Sequence, residues 1–371
     1  MNQSNEQISL SQIFLLIVAF ETGSAIIFGI GSDAKQDAWI SILLASATGV
    51  ALLLVYFSFM LRLPGRHLFE IMEFAMGKPI AAVFIYLYVI YFFYICARVG
   101  RDLVELIKTL LLTQTPIEML HLALYLLCIY LTGSGLQVIG RIGELFAPLL
   151  ISFLILIGIL LILDGVVMFK NLLPVIGEGF GPIIKAAFPS LVTFPFGELI
   201  AFTLIIPFTT HLNKVRSVGV FAIIVSSLGL VFSCIIQIGT IGIDGRSRAT
   251  FPLLSATRIL TIGNFIERID ALAAFIMMLG IVIKVSVFFY GGLKGLEHLT
   301  NVRYQLFVIP MGLMLSVLSV IVSHNFAEHV YEGIKLVPFI LHIPFQIAFP
   351  CVLCGIVIWK TRKRAAEGNK P

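Results

Sequence analysis

Residues 20–29 read FETGSAIIFG, and residues 189–198 read PSLVTFPFGE. Each stretch interrupts a long apolar run with small, charged or helix-breaking residues, and the two lie about half a chain apart. In lipid, every backbone polar group must find a partner inside the protein. A broken helix is therefore tolerated only where it is buried in protein or lines a cavity. Two such breaks, one in each half of a chain, are typical of a transporter-type binding site near the bilayer midplane.

The composition indicates a polytopic membrane protein. Of its 371 residues, 59% are hydrophobic and only 12% are charged, and the mean hydropathy is +1.05. Soluble domains carry about 25% charged residues. The net charge of +5 is assigned to basic loops and a basic tail, so we expect a lipid bilayer and no nucleic acid as a partner.

The chain carries no motif that indicates catalysis. It has no Rossmann or P-loop fingerprint and no histidine-rich metal motif. Its five cysteines lie inside apolar runs, which favours packing over redox or metal chemistry. We therefore predict no enzyme, no cofactor and no metal.

Apolar runs of about 20 residues, the length that crosses a bilayer, predict an all-α membrane protein with about ten spans. The predicted spans are 10–31, 38–61, 80–112, 119–137, 143–164, 184–210, 216–243, 268–293, 305–323 and 335–359. Basic loop residues are more numerous on the side that carries both termini, which predicts that the N- and C-termini are cytoplasmic.

The first interruption suits both charged groups of an amino acid. Unwinding at Gly23 and Ser24 leaves the positive end of an outer half-helix to hold a carboxylate. Free carbonyl groups on the other side suit an ammonium or a cation. The alternative is that these small residues serve close packing in an unbroken helix.

The second interruption combines three unusual residues. Pro195 removes a backbone donor and kinks the helix, Gly197 frees the backbone, and Glu198 brings a carboxylate to membrane depth. Phe194 and Phe196 suit the walls around a small apolar side chain. A proline kink alone is common in membrane helices, but the combination predicts a functional site.

Lys284 lies near the centre of the eighth span, where a lysine costs about 2.5–3.5 kcal/mol. We therefore expect it to face the interior with a partner. One interpretation places it where a coupling cation would lie, paired with free carbonyl groups or with Glu198, and the alternative is a structural ion pair. Ser286 and Tyr290 follow it, one helical turn apart on one face.

The end of the third span carries a polar stripe. Its members lie at i,i+3 and i,i+4 spacings and are Arg98, Arg101, Asp102, Glu105 and Lys108. The stripe faces either the bundle or an external vestibule, or it extends past the membrane as a solvated helix end. Val99 lies beside it and is a candidate for lining the pocket.

Several stretches together resemble the B subunit of endospore nutrient germinant receptors, the GerAB-type spore germination proteins. They occur in the same order over nearly the whole chain. The main ones are LPGR at 63–66, ELIK at 105–108, NLLP at 171–174, FPFGE at 194–198 and IGNFIERIDA at 262–271.

The resemblance extends to the amino acid–polyamine–organocation transporter superfamily. It implies a LeuT-like five-plus-five inverted repeat with discontinuous helices 1 and 6, in which 10–164 and 184–359 are the repeats and 360–371 is a basic cytoplasmic tail. It also implies a small germinant, usually an L-amino acid such as L-alanine. A larger membrane A subunit and a lipoprotein C subunit would be the partners in the spore inner membrane.

Carried onto this chain, the resemblance and the pattern select one set of ligand-binding residues. They are Gly23, Ser24, Val99, Phe194, Gly197, Glu198, Ser286 and Tyr290, with Lys284 and Glu198 as the buried charges. Two functions remain open: a germinant sensor that acts through partner subunits, and a proton-coupled amino acid transporter with Glu198 as the proton carrier.

Overall fold

A computed structural model describes residues 7–260 and 269–367, and these residues form a helical bundle. The helices are α1 (Leu10–Thr22), α2 (Ala38–Met60), α3 (Leu68–Met76), α4 (Lys78–Leu110), α5 (Ile117–Gly133), α6 (Leu136–Leu163), α7 (Phe180–Ala186), α8 (Leu212–Arg248), α9 (Pro252–Thr257), α10 (Asp270–Thr300), α11 (Gln305–Ile321), α12 (Phe326–Tyr331) and α13 (Phe349–Ala366). Shorter 3₁₀ helices include Ser32–Asp37 and Phe196–Leu204, and π helices include Ala187–Leu191 and Pro338–Ala348.

The predicted spans correspond to these helices. Among the described residues, seven helical segments are long and apolar enough to cross a membrane, and the bent pair α11–α12 adds an eighth. The helices α1 and α5 are shorter apolar helices, so ten segments match the ten predicted spans. Residues 262–268, part of the longest matching stretch, lie outside the described residues, as does the end of the tail. The repeat boundaries remain a prediction.

Both predicted interruptions are present. α1 ends at Thr22, and residues 23–31 continue as turns before the 3₁₀ helix Ser32–Asp37. In the second, a turn at Phe194 and Pro195 separates the preceding helix from the 3₁₀ helix Phe196–Leu204. Proline cannot donate a backbone hydrogen bond, so the second helix changes its form where the sequence predicts.

Polar side chains from α8 hold the unwound segment after α1. The Ser233 hydroxyl and the Gln237 amide both donate to the carbonyl of Ile26, at 2.9 and 2.8 Å. Arg246 donates to the carbonyl of Ile30 at 2.6 Å. Arg246 lies beyond a break in the helical backbone at Gly242, near the end of α8, and its side chain is buried. These donors replace the hydrogen bonds that a continuous helix would make.

Backbone hydrogen bonds join the segment before α1 to the segment that follows the second interrupted helix. The Ile8 N–H donates to the carbonyl of Phe208, and the Thr210 N–H donates to the carbonyl of Ile8, both at 3.0 Å. This short parallel bridge joins the two segments at the end of the bundle that carries the N-terminus.

The first interruption packs directly against the middle of α10. A Cβ atom built on Gly23 would lie 2.7 Å from the carbonyl carbon of Gly280, and one on Gly280 would lie 2.9 Å from that of Gly23. Real Cβ atoms do not approach backbone this closely, so both positions require glycine. Close packing therefore accounts for Gly23, although the helix around it is broken.

We predict that Gly280→Ala lowers the free energy of unfolding by about 1–3 kcal/mol, because the added methyl group forces two backbones apart. Thermal unfolding of the purified protein in detergent measures this. Gly355→Ala is the matched control, since Gly355 lies in α13 with nothing within 4 Å of the added atom. Equal melting temperatures for the two variants would contradict the prediction.

Candidate functional site

Three charged side chains converge where the two interruptions face α10. Glu21 lies at the end of α1, Glu198 lies in the 3₁₀ helix after the second interruption, and Lys284 lies in the middle of α10. Their relative exposures are 0%, 2% and 0%. A buried charge is tolerated only with compensation, so the contacts of each group define the site.

The Lys284 ammonium lies between the two interruptions. Its Nζ atom is 2.5 Å from Oε2 of Glu198 and 3.4 Å from the Ser24 hydroxyl, to which it donates. It also lies over the rings of Phe194 and Phe20, at 4.3 and 5.1 Å from their centroids. A carboxylate, a hydroxyl and two aromatic faces thus surround one cationic group. Of the two partners proposed for Lys284, the structure shows Glu198.

Glu21 is the ionisable member of the site that has no direct partner in the described part of the chain. Neither of its carboxylate oxygens has a hydrogen-bond partner among the described residues. Lys284 and Glu198 both act on it electrostatically. The sequence pattern assigned it no role, although the signal that singled out Glu198, a carboxylate beside a helix break, applies equally to Glu21.

The structure thus brings together Ser24, Phe194, Glu198 and Lys284 from the predicted set. Gly23 and Gly197 border this cluster through their backbones. Gly23 packs on α10, as described above, and a Cβ on Gly197 would lie 3.0 Å from the amide carbon of Gln346.

The other predicted residues lie in other contacts. Ser286 donates to the carbonyl of Val282 at 2.7 Å and lies beside Cys128 of α5. Tyr290 packs edge-on against Tyr304, with 5.6 Å between ring centroids. Val99 is buried on α4. Their assignment to the ligand pocket remains a prediction.

A buried polar network supports the second interruption. The Tyr56 hydroxyl lies 2.6 Å from the carbonyl of Gln346 and 3.3 Å from that of Gly197. The Gln346 amide donates to the Tyr91 hydroxyl at 2.8 Å, and that hydroxyl lies 2.9 Å from Nδ1 of His342. Side chains from α2, α4 and the π helix Pro338–Ala348 therefore fix the backbone next to Glu198. Sequence reasoning did not identify these residues.

The polar stripe of α4 packs into the bundle, which is one of the three expected alternatives. Arg98 pairs with Glu332 at 2.9 Å, and Asp102 contacts His329 Nε2 at 3.0 Å. Arg98 and Arg101 are both buried. These contacts join α4 to the segment around α12, at the opposite end of the bundle from the N-terminal bridge.

An open cleft lies at the N-terminal end of the bundle. One part has a volume of about 310 Å³ and is lined by His67, Lys294, Glu297, His298, Asn301 and Arg303. Burial, followed by the charges of His298 and Lys294, lowers the pKa of His67 to about 3. His67 therefore stays neutral at physiological pH.

Solved transporter structures share this fold. The structure of MhsT in complex with L-phenylalanine matches with a TM-score of 0.68 at 12% identity, covering 94% of this chain and 97% of that chain. MHP1, a nucleobase-cation-symport-1 family transporter with bromovinylhydantoin bound, matches with a TM-score of 0.57 at 14% identity, covering 97% and 78%. At this identity the likeness establishes the fold, and the LeuT-like fold predicted from the sequence is confirmed.

The protein is thus an integral membrane protein with a transporter-type fold and a buried charged site. It belongs to the spore germination protein family, whose model matches residues 7–327. Spore germination protein KB of Bacillus subtilis (strain 168) is 33% identical over 363 residues, covering 96% of each chain. The resemblance found in the sequence is therefore confirmed.

We predict that Lys284→Met destabilises the protein by about 3–5 kcal/mol, because it leaves a buried carboxylate without its partner. The double variant Lys284→Met/Glu198→Gln should recover part of this loss, since it removes both charges. Thermal unfolding in detergent measures both effects.

Lys335→Met is the matched control for this prediction. Lys335 pairs with Asp33 at 3.4 Å, but both side chains are about half exposed, and exposed pairs contribute at most about 1 kcal/mol. A Lys284 variant no less stable than the Lys335 variant would show that the buried pair is dispensable.

Proposed function

We propose that this protein binds a small solute with an ammonium group, an L-amino acid such as L-alanine, between its two interrupted helices. The position of Lys284 carries the proposal. In the described arrangement an ammonium already lies between Ser24, the Glu198 carboxylate and two aromatic rings. The site is therefore chemically suited to the cationic group of an amino acid.

A solute in this site would compete with Lys284 for Glu198. Its ammonium would replace the lysine between the carboxylate and the Phe194 ring, and its carboxylate would face the backbone at Gly23 and Ser24. The rings of Phe20 and Phe194 would contact a small apolar side chain. Binding would thus replace the Lys284 ammonium beside Glu198 with the ammonium of the solute. The net charge of the site would stay nearly constant.

We further propose that solute binding triggers spore germination through partners. The family membership supports a role in germination, and the resemblance to germinant receptor B subunits supports a larger membrane A subunit and a lipoprotein C subunit as partners. The location would be the spore inner membrane, with both termini in the cytoplasm.

The second candidate function is a proton-coupled amino acid transporter. The likeness to transporter structures over nearly the whole chain favours it, as do the acidic side chains at the helix breaks. Both functions require the same binding site, and they differ in whether the solute crosses the membrane.

We predict that L-alanine stabilises the purified protein and that L-lactate, in which a hydroxyl replaces the ammonium, does not. A bound ligand at 100 times its Kd stabilises by about 2.7 kcal/mol, which thermal unfolding resolves. Glu198→Gln should weaken L-alanine binding at least tenfold, since it removes the charge that holds the ammonium.

Glu118→Gln is the matched control because Glu118 is exposed at the start of α5. Titration calorimetry on the wild type and both variants gives the affinities. Equal binding of L-lactate and L-alanine, or an unchanged affinity in Glu198→Gln, would contradict the ammonium site.

Liposomes containing the purified protein separate the two functions. For a sensor we expect saturable binding of labelled L-alanine without net accumulation inside. Saturable uptake driven by an imposed proton gradient would establish the transporter instead. Exchanging this subunit into a spore-forming strain that lacks its own then tests whether it determines the germinant response.

A further inference from the structure

Glu21 is the one acidic group of the site whose charge the described structure does not compensate directly. It is fully buried at the end of α1, and neither oxygen accepts a hydrogen bond from a described residue. Isolated carboxylates in such surroundings take up a proton rather than remain charged.

The sum of the charges in the site also indicates that Glu21 is protonated. The site holds two carboxylates and one ammonium, and the ammonium contacts Glu198 at 2.5 Å. An ionised Glu21 would leave the buried site with a net negative charge. A single proton makes the site neutral, and we place it on Glu21 because Glu198 is the carboxylate in contact with the Lys284 ammonium.

The groups that face Glu21 come from three other elements. Lys284 lies on α10 and Glu198 on the 3₁₀ helix after the second interruption, and both act on Glu21 electrostatically. The Tyr56 hydroxyl of α2 also interacts electrostatically with Glu21. The nearby Lys284 cation is the group that would stabilise an ionised Glu21, provided that it leaves Glu198.

We propose that Glu21 carries a proton in the described arrangement and releases it when a solute's ammonium enters the site. The incoming ammonium pairs with Glu198, and Lys284 shifts to Glu21. The O–H bond of Glu21 breaks, and the proton leaves to solvent. The entering ammonium adds one positive charge and the departing proton removes one, so the charge around the three side chains is conserved, while the carboxylate of an amino acid is held separately by the backbone at Gly23 and Ser24. The identity of the entering cation rests on the proposed function, whereas the proton on Glu21 does not.

This assignment differs from the one made for the transporter alternative. There Glu198 is the expected proton carrier, but in the structure it pairs with Lys284. Glu21 is then the acid that is free to exchange a proton, and Lys284 is the positioning residue that decides which of the two carboxylates is ionised.

Infrared spectroscopy of the purified full-length protein at neutral pH tests the proton directly. We expect the carbonyl stretch of a buried protonated carboxyl group. Glu21→Gln should abolish it, and Glu118→Gln should leave it unchanged. Thermal unfolding confirms that each variant is folded.

The conservative variants decide which carboxyl group holds the proton. Glu21→Asp should shift the frequency of the band, because the carbonyl stretch differs between the two acids, and Glu198→Asp should leave it in place. A shift only in Glu198→Asp, or no such band in the wild type, would overturn the assignment.

Proton release is tested with L-alanine as the probe. Titration calorimetry in buffers of different ionisation enthalpy should give about one proton released per L-alanine bound, and none in Glu21→Gln. Binding without proton release in the wild type would overturn the exchange step and leave the proposed function standing. Absence of L-alanine binding in every variant would overturn the proposed function, while the infrared band still decides the state of Glu21.

Discussion

The backbone groups released by the two helix breaks must be satisfied without water, and much of the described polar structure serves this constraint. On the first break, Ser233, Gln237 and Arg246 of α8 donate to carbonyls that a continuous helix would have used. On the second, Tyr56 lies within hydrogen-bonding distance of the carbonyl of Gly197. Each break is therefore held in place by a neighbouring helix, which makes it a fixed element of the fold.

The two breaks bring ionisable side chains into the centre of the bundle. The charges of these buried groups must be compensated there, just as the free backbone groups must be. Lys284 satisfies Glu198 by direct contact and links α10 to both interruptions. The Gly23–Gly280 contact lets the first interruption approach the backbone of α10 closely. Packing and electrostatics at this point depend on each other, since a larger residue at either glycine would move the Ser24 hydroxyl away from the Lys284 ammonium.

The sequence predicted those features whose free-energy cost depends on residues that are close together in the chain. Apolar length predicted the spans, proline and glycine predicted the breaks, and the cost of a central lysine predicted an interior ion pair. Features that depend on tertiary contacts were not predictable in this way. Arg246, for example, donates to the carbonyl of Ile30, more than 200 residues earlier, and nothing near it in the sequence indicates this contact.

Helix phase places Lys284 and Ser286 on different sides of α10. Ser286 follows Lys284 by two residues, which is about 200° around a helix, so the two side chains lie on nearly opposite faces. Ser286 accordingly lies beside Cys128, whereas Lys284 meets the breaks. The face of α10 that carries Lys284 is turned to the breaks, and the assignment of Ser286 to the ligand pocket, which the family resemblance implies, remains a prediction.

Contacts at both ends of the bundle join the elements around the charged site. The Ile8 bridge joins two segments at the N-terminal end, and the Arg98–Glu332 and Asp102–His329 pairs join α4 to the segment around α12 at the other. A ligand shifts the equilibrium between two arrangements of a protein only if it binds them with different affinities. For a large shift, the two binding free energies must differ by several kcal/mol. Displacing Lys284 from Glu198 is a change of that kind, because it alters the contacts of α1, α10 and the second interrupted helix together. The same exchange serves a transporter if the two ends open in turn, and a sensor if one rearrangement reaches a partner subunit.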